Sequence, residues 1–460
     1  MKILNFRVKN HKSVRDEVAL ELLDSSFNRL TPTEGKDWNQ YVHNVASIFG
    51  ANASGKSNLL DALIYFITAI RDSSTRWQSR PNFPHFPFKL NQNDQNSESV
   101  YELDFLIKNT RYRYSFGASS QGITFESLEY IPTIRWKKIF YREQLEEGKY
   151  KTVFSNGTQK VEVNHRELIL SRALVLNRKD ILQEISESIM RGIDFILLNR
   201  DQQSRIDAIV KALAENSISF EELETLLQIA DIGIQKVDLW QQENEIDGQS
   251  LPPNIPASIQ EKIMNILSKL DSADKDNSAD TLKPPIARLV QRRLEFYHYT
   301  SDENMPPLYI NEESDGTLAW LAVSFAALKA IRRGSVVCGD ELDSSLHPYL
   351  VHLLIKLFTD SSINTQGAQI IFTTHDATIL ANNEELGLNH KNIWFTEKNR
   401  EGITELFSLN DFNLNNDVDI EEHYLNGSYG AVPLIAGSMF KNLVNYPSPQ
   451  SNFKGENNEK

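Results

Sequence analysis

The sequence predicts an α/β fold with a mixed sheet, an antiparallel β subdomain and a helical insertion, and three observations predict it. A glycine-rich loop, Gly50-Ala51-Asn52-Ala53-Ser54-Gly55-Lys56-Ser57, lies between a short apolar run and a helically periodic one. Much later, two further apolar runs end in chemistry-bearing residues, Ser335-Val336-Val337-Cys338-Gly339 before Asp340-Glu341 and Gln369-Ile370-Ile371-Phe372-Thr373 before Thr374-His375. Between them, one stretch alternates polar and apolar residues and the next repeats at helical spacing.

Composition bounds the reading. The chain has 460 residues, 52.6 kDa and 40% hydrophobic residues, enough to bury a sizeable core in two or three lobes. Forty-eight Lys and Arg stand against 62 Asp and Glu, a net charge of −14, which argues against a wide basic track that wraps nucleic acid. The N-terminal residues alternate like a strand and lack the apolar core and cleavage site of a signal peptide. No run reaches the ~18 apolar residues of a membrane span, so a cytoplasmic protein without a membrane partner is expected. Cys338, the single cysteine, excludes an intrachain disulfide and lies in an apolar run that suits a buried thiol.

The elements follow in order. Val45-Ala46-Ser47-Ile48-Phe49 suits a buried parallel strand, and Asn58-Leu59-Leu60-Asp61-Ala62-Leu63-Ile64 carries helical periodicity just after the glycine-rich turn. From Val100 to Tyr130 the alternation in Tyr101-Glu102-Leu103-Asp104-Phe105 and Tyr112-Arg113-Tyr114-Ser115-Phe116 predicts an antiparallel meander, a second and smaller sheet. Residues 166–293 read as mostly helical, with helices over 181–196, 204–230 and 259–270, interrupted by polar loops over 242–256 and 271–280. No long heptad register is present, so coiled-coil arms are not expected. The expected domains are an N-terminal lobe over 1–160, a helical insertion over 161–300 and a C-terminal lobe with its extension over 301–460. The tail after Tyr446 is polar and expected to fray.

The glycine-rich loop fits the P-loop pattern G-x-x-x-x-G-K-S, with the strand before and the helix after that the pattern requires. Small residues at Gly50, Asn52, Ala53, Ser54 and Gly55 let backbone N–H groups curl around phosphates, and the helix N-terminus at Asn58 adds its dipole. Lys56 is placed to reach the β and γ phosphates and Ser57 to hold Mg²⁺, so ATP and Mg²⁺ are the expected ligands. Asp340, at the end of its apolar strand, suits a contact to Mg²⁺, and Glu341 suits polarising the attacking water.

Glu313-Ser314-Asp315-Gly316-Thr317 precedes the acidic pair and opens a helix, Leu342-Asp343 follows it, and Thr374-His375-Asp376 closes the next strand. In this order the segments resemble an ABC-type ATPase head. The resemblance implies that Ser314, Asp315, Gly316 and Thr317 form the signature loop, which meets ATP held by a second copy, that Asp343 belongs to the D-loop at the dimer seam, and that His375 is the switch histidine. Lys12 and Ser13 stand where SMC-like heads approach the nucleotide. The stretch from Ser57 to Ser314 is much longer than in transporter subunits, and E-S-D-G-T replaces L-S-G-G-Q, which disfavours a transporter. Gln92 and Gln121 are both candidates for a Q-loop, and neither sits in a decisive motif.

A narrower likeness spans nearly the whole chain. Pro87-Phe88-Lys89-Leu90, Glu126-Ser127-Leu128, Ile229-Ala230-Asp231-Ile232-Gly233-Ile234, Asp340-Glu341-Leu342-Asp343-Ser344-Ser345-Leu346-His347-Pro348, Ile393-Trp394-Phe395-Thr396-Glu397-Lys398 and Tyr424-Leu425-Asn426-Gly427-Ser428-Tyr429-Gly430-Ala431-Val432-Pro433 resemble the RloA/AbiL-type AAA-ATPase family, which is similar to the AriA subunit of the PARIS phage-defence system. Ser428 stands where that pattern expects arginine. The resemblance implies a homodimer or higher homo-oligomer of ATP-sandwiched heads that senses a phage-made trigger and controls a separate toxin or nuclease. The 85 residues after His375 are too few for a TOPRIM nuclease domain, so such an effector acts in trans. The competing expectation is a RecF-like repair ATPase that clamps DNA when ATP drives dimerisation. Arg135-Trp136-Lys137-Lys138 and Arg292-Arg293 are the short basic spots that could touch nucleic acid, although such runs are usually solvated faces.

Overall fold

The computed structural model describes residues 1–246, 287–300, 306–432, 439 and 443, apart from positions 34, 147, 156, 159, 178, 231, 232, 413 and 415–417. It comprises two compact units, Met1–Arg191 with Ile371–Lys460, and Gly192–Ile370. The first contains β1 (Lys2–Lys9), β2 (Val18–Glu21), β3 (Val45–Gly50), β4 (Ser99–Ile107), β5 (Thr110–Ser119), β6 (Gly122–Tyr130), β7 (Lys137–Glu146) and β8 (Lys149–Phe154). The second holds β9 (Ile193–Ile196), β10 (Ile234–Ile246), β11 (Ala287–His298), β12 (Leu308–Tyr309) and β13 (Val336–Gly339). β14 (Gln369–Thr373) leads back to the first unit, which also contains β15 (Ile393–Lys398) and β16 (Thr404–Ser408).

In the first unit a seven-stranded antiparallel sheet runs in the order β2-β1-β4-β5-β6-β7-β8. The predicted meander is its middle, but the sheet is not the smaller one expected. β1 pairs with β4 and β2 with β1 at one edge, and β7 and β8 extend the other. Those two strands are hidden in the sequence by a high charge content that suits a solvated face. The alternation of β4 and β5 buries Tyr101, Leu103, Tyr114 and Phe116 completely. Against this face lies the helix Lys56–Asp72. Phe66 stacks on Phe116 at 5.5 Å and meets Phe6 and Tyr114 edge-on at 6.1 and 5.6 Å, while Tyr65 packs on Tyr101 at 4.8 Å. Each such aromatic pair adds about 1 kcal/mol beyond area burial.

Glu126 on β6 ties a second helix to this sheet. Its buried carboxylate accepts the Ile169 N–H at 2.9 Å and the Tyr114 hydroxyl at 2.8 Å, satisfying the first turn of the helix Ile169–Leu176, and burial pushes its pKa up.

The other sheet of this unit runs β16-β15-β3-β14. β15 lies parallel to β3, with Thr396 opposite Gly50, and antiparallel to β16. β3 and β14 are buried along their whole lengths, as central parallel strands are.

In the second unit β9 pairs in parallel with β13, Ile193 opposite Val336 through Ile196 opposite Gly339. β10, β11 and β12 form an antiparallel sheet whose inner residues Val237, Leu294 and Phe296 join Ile206, Ile209, Leu223, Leu227 and Leu321 in one core. The helix Asp315–Arg333 crosses that core, and the Trp320 indole donates to the Leu226 carbonyl at 2.6 Å.

The expectation of a mostly helical 166–293 is corrected in several places. The helix expected over 181–196 is Ile181–Gly192, because Gly192 ends it and Ile193-Asp194-Phe195-Ile196 pairs as β9. The helix expected over 204–230 is two, Leu198–Ala214 and Phe220–Ile229, separated where Asn216 takes φ +53° and Ser219 forms a capping box with Glu222. The long β10–β11 hairpin was missed, and Gln242–Ile246, read as the start of a loop, is the end of β10; its partner strand lies some 50 residues on, so no local pattern marks the pairing. The remaining expected loop residues, the helix over 259–270 and the tail after Tyr446 lie outside the described residues.

Candidate nucleotide site

In the first unit, β3 ends at Gly50 and five residues separate it from the helix Lys56–Asp72. The turn between them needs unusual backbone. A Cβ at Gly50 would stand 2.5 Å from the Thr396 carbonyl oxygen, and Gly55 caps the helix at φ +113°, where a Cβ would collide with the Thr404 side chain. Ala53 also takes a left-handed φ of +65°. Alternation of this kind turns successive N–H groups inward and makes an anion-binding concavity. Asn52, Ala53 and Ser57 are exposed on it, whereas Ser54, Gly55 and Lys56 are buried.

Two threonines brace the loop from behind. Ser54 Oγ lies 2.6 Å from Thr396 Oγ1 on β15, and Thr404 Oγ1 on β16 donates to the Ser54 carbonyl at 2.9 Å. Ser13 Oγ lies 2.7 Å from Thr404 Oγ1 and accepts from Asn58 Nδ2 at 2.6 Å. The Lys56 ammonium donates to the Gly50 and Ala51 carbonyls at 2.6 and 3.1 Å and stands 3.4 Å from His375 Nδ1, just past β14. Gly50, Ser54, Lys56, Asn58, Ser13 and His375 therefore come together. The Lys12 ammonium pairs with Asp61 Oδ2 at 2.7 Å. Gln92 lies in the short helix Gln92–Gln95 and Gln121 in the turn between β5 and β6.

Asp61 also accepts from His11 Nε2 at 2.9 Å. Burial pushes the Asp61 carboxyl up, but the hydrogen bonds from His11 and Lys12 outweigh it and hold the group below the ordinary carboxylate range. Thr396, Thr404, Asp61 and His11 were all missed as site residues. Thr396 belongs to the Ile393–Lys398 segment quoted for its family likeness, whereas Thr404 carries no local signal because its role comes from strand pairing.

In the second unit, Ser314 caps the helix Asp315–Arg333. Its Oγ accepts the Thr317 N–H at 3.1 Å and lies 2.8 Å from Thr317 Oγ1. A Cβ on Gly316 would meet the Ser345 carbonyl at 3.5 Å and Ser314 Oγ at 3.8 Å, both ordinary contacts, so neither neighbour requires glycine there. β13 delivers Asp340, whose N–H donates to the Ile196 carbonyl at 3.1 Å. Glu341 takes φ +50°, a left-handed backbone that a non-glycine residue rarely adopts and that clusters at functional sites. Its carbonyl accepts the Ser344 N–H at 2.9 Å, which closes the turn carrying Asp343. Cys338 is buried, as expected, and burial pushes its thiol up.

A family model described as "AAA domain, putative AbiEii toxin, Type IV TA system" matches residues 45–381. The chain belongs to this AAA family. The match begins at β3 and ends beyond His375, so it takes in the glycine-rich loop, residues 313–317 and the acidic pair of this AAA protein. No curated protein sequence matches it. Among solved structures it is similar to the SMC head domain from Thermotoga maritima, with 13% identity over 89% of this chain and 99% of that one and a TM-score of 0.38. It is also similar to the recombination mediator protein RecF with ATP in the RecFOR pathway, with 13% identity over 88% and 99% and a TM-score of 0.36. The fold of this AAA protein is α/β, with a mixed sheet and an antiparallel β subdomain. No described helix is long and apolar enough to cross a membrane.

Proposed function

We propose that this chain binds and hydrolyses ATP at sites completed by a second copy, and that it is the sensor or scaffold subunit of a prokaryotic anti-phage, abortive-infection system that controls a separate toxin or nuclease. The observation that carries the ATPase reading is the 3.4 Å approach of Lys56 Nζ to His375 Nδ1. It joins a P-loop lysine to a histidine at the end of the next buried strand, in a loop whose glycines leave no room for a Cβ.

The residues fit a nucleotide triphosphate. The backbone N–H groups of 52–57 and the helix N-terminus bind its phosphates. Lys56 leaves the Gly50 and Ala51 carbonyls to pair with the β and γ phosphates, and His375 approaches the γ-phosphate. Mg²⁺ would neutralise charge on the transferred phosphoryl group, and the sequence motifs assign Ser57 and Asp340 to hold it. Glu341 orients the attacking water and draws its proton. Ser314 and the N–H groups of Asp315, Gly316 and Thr317 meet the γ-phosphate held by the partner copy, which gives Gly316 the reason for its missing Cβ that Ser345 and Ser314 do not supply. ATP thus holds two heads together and its hydrolysis releases them.

The defence role is supported by the family description, which names a toxin and a toxin–antitoxin system, and by the RloA/AbiL-like segments of the sequence. Its test is to purify tagged Glu341→Gln protein with ATP from cells carrying the native gene neighbourhood and to identify what stays bound by mass spectrometry. The expected result is a stoichiometric small toxin or nuclease. Recovery of DNA and repair proteins with no such partner would overturn the defence reading in favour of a repair clamp.

A further inference from the structure

His11 lies in the turn between β1 and β2, fully buried in a box of aromatic rings, with Tyr65, Phe86 and Tyr101 at 5.8, 6.3 and 5.7 Å. Such a box suits a phenyl ring. An imidazole there costs free energy unless both nitrogens are hydrogen-bonded, and both are. Nδ1 lies 2.8 Å from the Tyr101 hydroxyl and Nε2 2.9 Å from Asp61 Oδ2. The network assigns the proton: the tyrosine donates to Nδ1, so Nε2–H donates to the carboxylate. Burial holds the imidazole below its ordinary pKa, in keeping with a neutral ring.

The same Asp61 oxygen accepts the Lys12 ammonium at 2.7 Å. Asp61 stands one turn along the P-loop helix from Ser57, on the face that also presents Asn58. Lys12 is held at φ +51° with its N–H on the Phe86 carbonyl at 2.7 Å, and its neighbour Ser13 receives the Asn58 amide. The lysine is a partly exposed cation set beside the N-terminal turns of the P-loop helix, tethered to one carboxylate oxygen that His11 shares.

We propose that His11 is a positioning residue of the nucleotide site: by sharing the Asp61 oxygen with Lys12, it sets where the Lys12 ammonium stands and how readily it moves to a bound phosphate. Without the His11 donor, Asp61 concentrates its charge on Lys12 and holds it back. Nothing in the reaction passes through the imidazole itself. The inference rests on the reading that this P-loop binds ATP.

The test is the affinity for Mg-ATP, measured by calorimetry on the full chain for wild type, His11→Phe, His11→Gln, Lys12→Ala and the double variants, with thermal melts as a folding control. Failure of wild type to bind Mg-ATP would overturn the nucleotide reading itself, a result distinct from the ones below. With wild type binding, His11→Phe is expected to weaken affinity about tenfold, a change of about 1.4 kcal/mol, and to raise KM while leaving kcat unchanged. His11→Gln, which keeps an N–H donor, recovers most of that loss. In a Lys12→Ala background neither His11 change weakens binding further. His11→Phe that binds as wild type, or a His11→Phe loss that persists in full after Lys12→Ala, would overturn the proposal; His11→Leu, which also lacks an N–H donor, decides it in the same way if His11→Phe does not fold.

Discussion

Thr404 Oγ1 donates a hydrogen bond to the carbonyl of Ser54 at 2.9 Å, so β16 fixes the P-loop of a strand that lies two places away in the sheet. The two residues are 350 apart in sequence. A phosphate-binding loop works by having its N–H groups already aimed, and preorganisation from behind reduces the ordering cost of binding.

Thr404→Val keeps the shape and removes the hydroxyl, leaving the Ser54 carbonyl and the Ser13 hydroxyl short of a partner. An unsatisfied buried group costs about 1–3 kcal/mol. The expected outcome is nucleotide binding weaker by about tenfold and a lowered melting temperature, checked by calorimetry and thermal unfolding. Unchanged affinity would mean that the loop holds its shape unaided.

The two acidic and basic anchors of the site should separate binding from turnover. Lys56→Ala loses the cation that faces the phosphates, and ATP binding falls below detection at micromolar protein. Glu341→Gln keeps binding and slows phosphate release by at least about a hundredfold, as loss of a general base does. Equal turnover by wild type and Glu341→Gln would remove this residue from its role.

Acid should destabilise the first unit through two of its histidines, half-buried His85 and buried His11. Burial lowers the pKa of His85 to about 4, and its Nε2 meets Ser99 Oγ at 3.0 Å. Because the folded value lies below the unfolded value of about 6.5, the unfolded chain binds more protons between the two, and stability falls as pH drops through that window. His11, also lowered by burial, acts in the same direction. The urea midpoint is expected to hold steady above about pH 7 and to fall as the pH drops toward about 5, less steeply in His85→Gln. A midpoint that does not change across this range would contradict the neutral state of these rings.

Much of the site was legible because its residues are contiguous. The P-loop spells its own backbone geometry, β13 and β14 are short apolar runs that end just before Asp340 and His375, and Ser314 is a helix cap with the right residue type. What was not legible depends on partners far along the chain. β1 alternates correctly, but nothing local says that it pairs with β4. β10 and β11 are too polar over their outer halves to announce a hairpin, and Thr404 looks like any strand threonine until β15 and β16 bring it under Ser54. His11 in a ring of aromatics resembles a core residue, and only its two hydrogen bonds mark it otherwise.

The central claim is that one copy's P-loop is completed by another copy's signature loop. It is tested most directly by pairing two inactive variants. Lys56→Ala spoils the P-loop, Ser314→Arg spoils the loop offered in trans, and neither alone should release phosphate from ATP. Co-expressed with different tags and purified through both, the mixed assembly contains sites with an intact P-loop facing an intact Ser314, and phosphate release should return. A mixed assembly as silent as its parents would contradict the composite site.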